Sequence, residues 1–560
     1  MKRVKFMMAA IAALGASLGV QAAYEVTIPA PNGIGDVVAL TNALAQANAL
    51  GDAATSRLDA RIWLTPGVYN LSGVYMTKKS HLYLKQSQNG MIAGLGEKPD
   101  DTILLGGGEA EDHRVIELSG GGNYDWVTVS NLTVTGGYSS TNSGGGIGGA
   151  ATTRYSHLIV SNNYAFGGNG GGGGGCSRGR AEYCLFADNR TSGSRLGGAF
   201  WTDGGGGQMA RFVQGAWHCI FTNNVSSDYR GGALRLQGKC VGCKFFGNTS
   251  VHGGAISVSV VDWNWNSARF TNKTEILDCE FVGNTLSMWG HGSAIYNETS
   301  TGVTISNCVF TANDTPSTGG SGVIVGGNLY DCVVTNNVRV ESIIYNCNLM
   351  RCLVENNTNS NNGTSIDLSA TIGAYTNVNC LFVGNWSNSY GPTSYGKVIV
   401  NCTYLDNISN NGGNYGGICT KCQMWNTILM GNYIHGNGNS YYAQDVRAHN
   451  ANGDLPLVMT NCFFKKCDTY TKLDANGYIT NEGVSNTRKV SDMKFTDAAN
   501  GNYTPKYRSP AYNAGCSEPW ILELVGDRDL AGNPRVFGEG LDVGAYECQR
   551  FPPGAVFTVR

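Results

Sequence analysis

The chain has 560 residues, of which 79 are glycine and only 14% are charged, and its formal net charge is −2. A strongly basic nucleic-acid binder and a highly charged disordered chain are both excluded, and the charge balance names no partner. Its 18 cysteines call for an explanation of their own.

Residues 1–22 read as a secretory signal. Lys2, Arg3 and Lys5 precede an apolar run from Phe6 to Val20, and Val20-x-Ala22 forms a small-residue cleavage site. The mature protein is therefore expected to be secreted or held at the cell surface, including the outer membrane. No later stretch approaches the roughly 18 apolar residues of a spanning helix, so no transmembrane segment is expected after signal removal. Residues 23–60 form an N-terminal cap. Within it Gly35-Asp36 opens an apolar pattern of Val37, Leu40, Leu44, Ala47 and Leu50, which predicts a helix over 36–50 ending at Gly51. Strand-like alternation follows at Ile62 to Tyr69, Ile103 to Leu105, Arg114 to Leu118 and Trp126 to Thr135.

A repeated motif then takes over. Cys184-x-Phe186-x-x-Asn189 recurs at Cys219/Phe221/Asn224, Cys243/Phe245/Asn248, Cys279/Phe281/Asn284, Cys308/Phe310/Asn313 and Cys380/Phe382/Asn385, with weaker copies between and after them. A second motif precedes many copies: Gly197-Gly-Ala-Phe200, Gly231-Gly-Ala-Leu234, Gly253-Gly-Ala-Ile256, Gly292-Ser-Ala-Ile295 and Gly416-Gly-Ile418. The cysteines are 20 to 36 residues apart, the length of a solenoid repeat. Within each repeat the runs are short and rich in Val, Ile, Thr and aromatics, so they are strands. The fold class is all-β, a right-handed parallel β-helix over 61–490 with the α-helical cap, each coil about 4.8 Å above the last.

In such a stack the Phe of each motif belongs in the core, and the Cys two residues earlier points the same way. The Asn three residues beyond the Phe falls at a turn, where it is expected to tolerate left-handed backbone and to stack its amide on the next coil. A column of Asp278, Asn307, Asp331, Asn379, Asn401, Asn426 and Asn461 precedes the cysteines and is suited to Asx turns. The glycine runs at Gly144 to Gly146, Gly170 to Gly175 and Gly204 to Gly207 lack the Lys-Ser or Lys-Thr of a phosphate loop and read as turns.

The paired motifs resemble the repeats of the chlamydial polymorphic outer-membrane protein family over residues 145 to 465, which implies a surface β-helix of the adhesin kind. The stretch Ile62 to Tyr69 resembles the opening coil of secreted β-helix proteins, pectin-degrading enzymes among them. Residues 491–548, with Asp527-x-Asp529, Gly532-Asn-Pro-Arg535 and Asp542-x-Gly-Ala-Tyr-Glu547, resemble the choice-of-anchor segment of secreted bacterial β-helix proteins, which implies surface association. Residues 549–560 are a tail, and no membrane-barrel domain like that of the chlamydial family follows.

Ten cysteines occupy the repeat slot and are expected to be buried thiols. Parallel stacked side chains do not readily reach the torsion of a disulfide. Cys516 and Cys548 flank the terminal segment and are the disulfide candidate. Cys240/Cys243 and Cys419/Cys422 have a zinc-like spacing but lie several coils apart, so they cannot share a metal, and neither a metal nor another cofactor is assigned.

Gly290-His291-Gly292 resembles the Gly-His-Gly of pectin-hydrolysing β-helices, although the acidic pair of that family has no counterpart, and no catalytic residue is assigned. Arg230, His252 and His291 each precede a Gly motif and form a candidate cationic column. Trp263, Trp265 and Trp289 lie near them, and tryptophan beside polar groups suits sugar binding. Two function classes stay open. One is a surface scaffold or adhesin that binds polysaccharide or another surface without catalysis. The other is a carbohydrate-active enzyme, a pectate-lyase-like protein or a polysaccharide hydrolase.

Overall fold

A computed structural model describes residues 22–31, 34–53, 58–85, 89–119, 127–141, 143–150, 152–166, 172–193, 196–202, 213–258, 274–288, 290–298, 302–314, 322–339, 342–359, 376–387, 394–395, 398–409, 419–420, 422–435, 441–443, 445, 458–467 and 471–550. Residues 1–21 of the expected signal segment, Gly204 to Gly207, Trp263, Trp265, Trp289 and Gly416 to Ile418 lie outside the described residues. The chain divides into two compact units, an N-terminal one of Met1–Val251 with Ala255–Asn272 and a C-terminal one of His252–Gly254 with Lys273–Arg560.

Both units are right-handed parallel β-helix. In the N-terminal unit one coil contributes Phe200–Trp201, Gly215–Trp217, Ile220–Thr222 and Val225–Arg230. The first three pair in parallel, without register shift, with Leu234–Leu236, Lys239–Val241 and Lys244–Phe246 of the next coil. The C-terminal unit repeats the plan: Val309–Thr311 pairs with Val333–Thr335, which pairs with Leu353–Glu355.

Register turns repeated residues into columns. Phe186 and Phe221 stack at 4.8 Å between ring centroids, and Phe221 and Phe245 at 4.9 Å, all three fully buried. Phe281 and Phe310 do the same at 4.7 Å in the C-terminal unit. The motif cysteines are buried beside them as expected, and Cys184, Cys219, Cys308, Cys352 and Cys380 are free thiols.

The asparagines form the third column, and here the expectation needs correcting by one residue. Asn189 donates its backbone N–H and its Nδ2 to Asn224 Oδ1 at 3.0 and 3.1 Å, and Asn224 repeats this on Asn248 at 3.0 Å. The left-handed residue is the one before each Asn: Asp188, Asn223, Ala312, Asn336, Asn356 and Asp406, all with φ between 52 and 55°. A left-handed turn there aims the Asn amide inward, where the ladder satisfies it. The column before the cysteines is also left-handed, from Asp278 at φ 56° to Asn461 at 52°.

Helix α1 spans Ile34–Ala53, longer than 36–50, with Gly51 inside it. Its alanine-rich end tolerates the glycine. Val37, Leu40, Leu44 and Ala47 are buried, and Asn48 caps the strand Ser80–Lys85 by bonding Tyr83 O at 3.0 Å and Lys85 N at 2.8 Å. The cap region also carries a strand, Ala22–Ile28, which pairs in parallel with Leu58–Leu64.

The segment after the last coil strands, Val484–Ser485 and Arg488–Lys489, folds back along the C-terminal unit. Met493, Ala511, Val543 and Ala545 pack on Leu381, Leu405, Ile428, Met430 and Phe463 of the coils. Helix α2, Pro519–Val525, sets Ile521 and Val525 against Val378 and Val400. The left-handed asparagines supply the polar contacts: Asn379 Nδ2 donates to Val525 O at 2.8 Å, Asn401 Nδ2 to Asp542 O at 3.0 Å and Asn461 Nδ2 to Ala514 O at 3.1 Å. Cys516 and Cys548 are both free thiols, so the expected bridge is not formed. A buried polar knot closes the segment instead. Asp542 accepts the N–H groups of Asn513 and Cys548, both at 2.7 Å, and Arg535 donates to Asp542 O at 2.9 Å and Gly544 O at 2.7 Å.

Candidate functional site

His252 and His291 are brought together by the coil corner of the C-terminal unit. Their rings stack at 5.3 Å with 22° between planes, and Tyr296 joins both, at 5.1 Å from His252 and 5.7 Å from His291. All three are half-exposed. His252 Nδ1 accepts the His291 backbone N–H at 3.2 Å, so that nitrogen carries a lone pair and any ring proton sits on Nε2. The corner is set by Gly253 and Gly292, with φ of 66° and 70°. A Cβ at Gly292 would lie 2.2 Å from Ile295 O. Gly292 is thus required by the repeat turn, which is where the Gly-His-Gly pattern comes from. Arg230 ends the strand Val225–Arg230 of the N-terminal unit and bridges Leu196 there.

Sequence reasoning missed a cluster near the start of the coils. Tyr75 packs on His113 at 4.3 Å and on His81 at 5.6 Å. His81 donates from Nδ1 to Val74 O at 2.8 Å and accepts the Gly107 N–H on Nε2 at 3.2 Å, which makes it the neutral tautomer. Burial pushes its pKa below the ordinary value. The Glu111 carboxylate takes the Ser72 hydroxyl at 2.7 Å and the Gly73 N–H at 3.0 Å. Partial burial pushes its pKa up, but these donors outweigh that and hold it low. His113 Nδ1 faces Glu111 O, which leaves its Nε2 as the second ring nitrogen at the half-exposed surface. Burial and Glu111 push the Tyr75 phenol up. The residues came from three separate stretches, Ser72 to Tyr75, His81 and Glu111 to His113, and no single motif marks them. Among the described residues no group of three or more His, Cys, Asp or Glu is placed to hold a metal ion.

No family model matches the chain, and no curated protein matches it. Among solved structures it is similar to the A-module of the Azotobacter vinelandii mannuronan C-5 epimerase AlgE6, at 14% identity and a TM-score of 0.28, covering 77% of this chain and 96% of that one. A mannuronic acid specific polysaccharide family 6 lyase from human gut microbiota is similar at 12% identity and a TM-score of 0.31, covering 80% and 81%. A tailspike protein of E. coli bacteriophage HK620, in complex with pentasaccharide, is similar at 13% identity and a TM-score of 0.32, covering 72% and 77%.

Proposed function

We propose that this chain is an exported, surface-associated β-helix that holds a glycan without cleaving it. The observation that carries the reading is the ring trio of His252, His291 and Tyr296, half-exposed and fixed by a glycine corner. Stacked rings with polar edges offer a sugar both apolar contact and hydrogen bonds. The signal-like start and the anchor-like terminal segment support an exported, surface-held protein. Glycan-array binding by the full chain tests the reading. Wild type is expected to bind, and His252→Ala/His291→Ala to weaken binding by about tenfold. Equal binding by both proteins contradicts it.

A second reading is favoured by one observation, the Tyr75 phenol that packs on the His113 ring and meets the Glu111 carboxylate, while His113 Nδ1 is held by the Glu111 backbone carbonyl. Such groups can move protons, as a polysaccharide lyase or hydrolase requires. Release of oligosaccharides that disappears in His113→Ala is the outcome that favours it.

A further inference from the structure

A strip of rings runs up one corner of the first coils of the N-terminal unit. The contact of Tyr75 with His113 is its lower end. The Tyr138 N–H then bonds His113 O at 3.1 Å, and the Tyr138 ring meets Tyr164 edge-on at 5.2 Å. Phe166 packs on Tyr164 at 6.2 Å. Parallel register sets these residues on four successive coils, each adding at least one ring. The fold does not call for rings here. In the next coil the slots of Tyr164 and Phe166 are filled by Arg190 and Ser192, and Val225 follows Arg190. Tyr75 and Phe166 nevertheless keep 49% and 46% of their surface in solvent. Large rings left half in water along one continuous strip add little to the core, and a patch of that kind marks a contact site.

Oxygen acceptors stand along the rings. Glu109 bonds the Tyr138 phenol, and burial, with that carboxylate next, pushes the phenol's pKa up. Glu111 meets the Tyr75 phenol. Asp112 takes the Ser140 N–H at 2.6 Å and the Ser140 hydroxyl, and the Tyr164 and Ser192 hydroxyls pair at 2.5 Å. Glu109 and Asp112 are exposed, and a carboxylate offers about four acceptor positions, more than these donors fill. Charges of both signs border the strip. Lys78 and Lys79 follow Tyr75, and Arg190 stands one coil beyond Tyr164, two residues after Asp188. Arg114 turns aside, with its guanidinium against Gly148. The exposed carboxylates and cations thus leave no surplus of positive charge along the rings.

We infer that this strip is a binding site for a neutral polysaccharide lying along the solenoid axis. The C–H faces of sugars pack on the half-exposed rings of Tyr75 and Phe166, while Glu109 and Asp112 accept their hydroxyls. Coils stand about 4.8 Å apart, so the pattern of ring and acceptor repeats at close to the advance of an extended sugar chain per residue. An uncharged chain suits the site, because carboxylate acceptors repel uronates and no cation surplus offsets them. Binding here requires no bond to break, so it stands apart from the proton-moving reading of Tyr75, Glu111 and His113. The strip lies wholly in the N-terminal unit and shares no residue with the trio of His252, His291 and Tyr296.

The test is native affinity electrophoresis of the full chain through gels holding hydroxyethyl cellulose, galactomannan or laminarin, with polygalacturonate as the acidic comparison. Wild type is expected to be retarded by at least one of the neutral polymers. Tyr164→Val/Phe166→Ser installs residues that later coils carry at these slots, so the Tm should hold while the retardation weakens by about tenfold. Glu109→Gln, at an exposed site, should weaken it by about threefold or more. Should the double variant lose its fold, Glu109→Gln alone decides. Added salt should leave retardation by the neutral polymer within about twofold. No retardation by any of the three neutral polymers overturns the proposal, and so does equal retardation of wild type and the folded variants. Tighter retention by polygalacturonate than by every neutral polymer overturns it too. Loss of neutral-polymer binding in His252→Ala/His291→Ala, with the strip variants unaffected, also overturns it while leaving the proposed function standing.

Discussion

Asn432 hands its backbone N–H and its Nδ2 to one oxygen of Asp445, at 2.9 and 3.0 Å. This ends the amide ladder of the C-terminal unit. Each earlier rung is an Asn that accepts from one neighbour and donates onward, whereas the last must only accept. The other Asp445 oxygen takes the N–H groups of Lys465 and Lys466 at 2.9 and 2.8 Å, so four donors converge on a buried carboxylate. Asp445→Asn places an amide NH₂ against donors on one side or the other. It is expected to destabilise the unit by about 2 kcal/mol, read as a fall in the denaturation midpoint. An unchanged midpoint contradicts the ladder-end role.

Mid-ladder rungs should be at least as sensitive. Asn224→Ala leaves the Asn189 N–H and Nδ2 without their acceptor, and removes the donor to Phe186 O at 2.9 Å. A loss of about 3 kcal/mol is expected. Replacing the neighbouring left-handed Asn223 by Gly, which adopts the same turn, should cost far less. Parity between the two in thermal unfolding sinks the one-residue correction made above.

The terminal segment carries a pH dependence with a definite sign. Burial, outweighing Arg535, raises the Glu547 pKa from 4.5 to about 8 and that of Asp542 from 3.8 to about 6. The folded segment therefore binds these protons more tightly than the unfolded one. Its stability is full below about pH 4 and is lost as pH rises toward about 8. Hydrogen exchange across residues 493–548 should show protection falling by about tenfold or more between pH 5 and 8. Protection that rises over that range contradicts the assignment.

Burial pushes the Cys184, Cys219, Cys352 and Cys380 thiols up, which removes the thiolate that alkylating reagents attack. Native protein should label slowly at these four, and fully once unfolded. Rapid native labelling would place the column outside the core.

Columns were legible in the sequence wherever one residue type recurs at one slot. The Phe stack, the buried cysteines and the amide ladder each follow from that recurrence plus strand alternation. The left-handed position was misplaced by one, because Asp, Asn and Gly crowd both sites and only backbone geometry separates a turn residue from an inward amide. The docking of the terminal segment had a faint signal: Leu381, Leu405, Ile428, Met430 and Phe463 are apolar and pack under it. Among the stacked rings of His157, Tyr183 and His218, the last two hold the slot just before the motif cysteines Cys184 and Cys219, whereas His157 precedes Leu158 and only the register brings it into line with them. The cluster at Tyr75 and His113 was hidden for the same reason.

Binding without cleavage is tested most directly by incubating the purified full chain with a panel of neutral and acidic polysaccharides, and recording retention and released products together. The account predicts retention of at least one glycan, weakened in His252→Ala/His291→Ala, with no oligosaccharide or unsaturated uronide released. Release of such products by wild type, lost in His113→Ala, would contradict it and make the protein an enzyme.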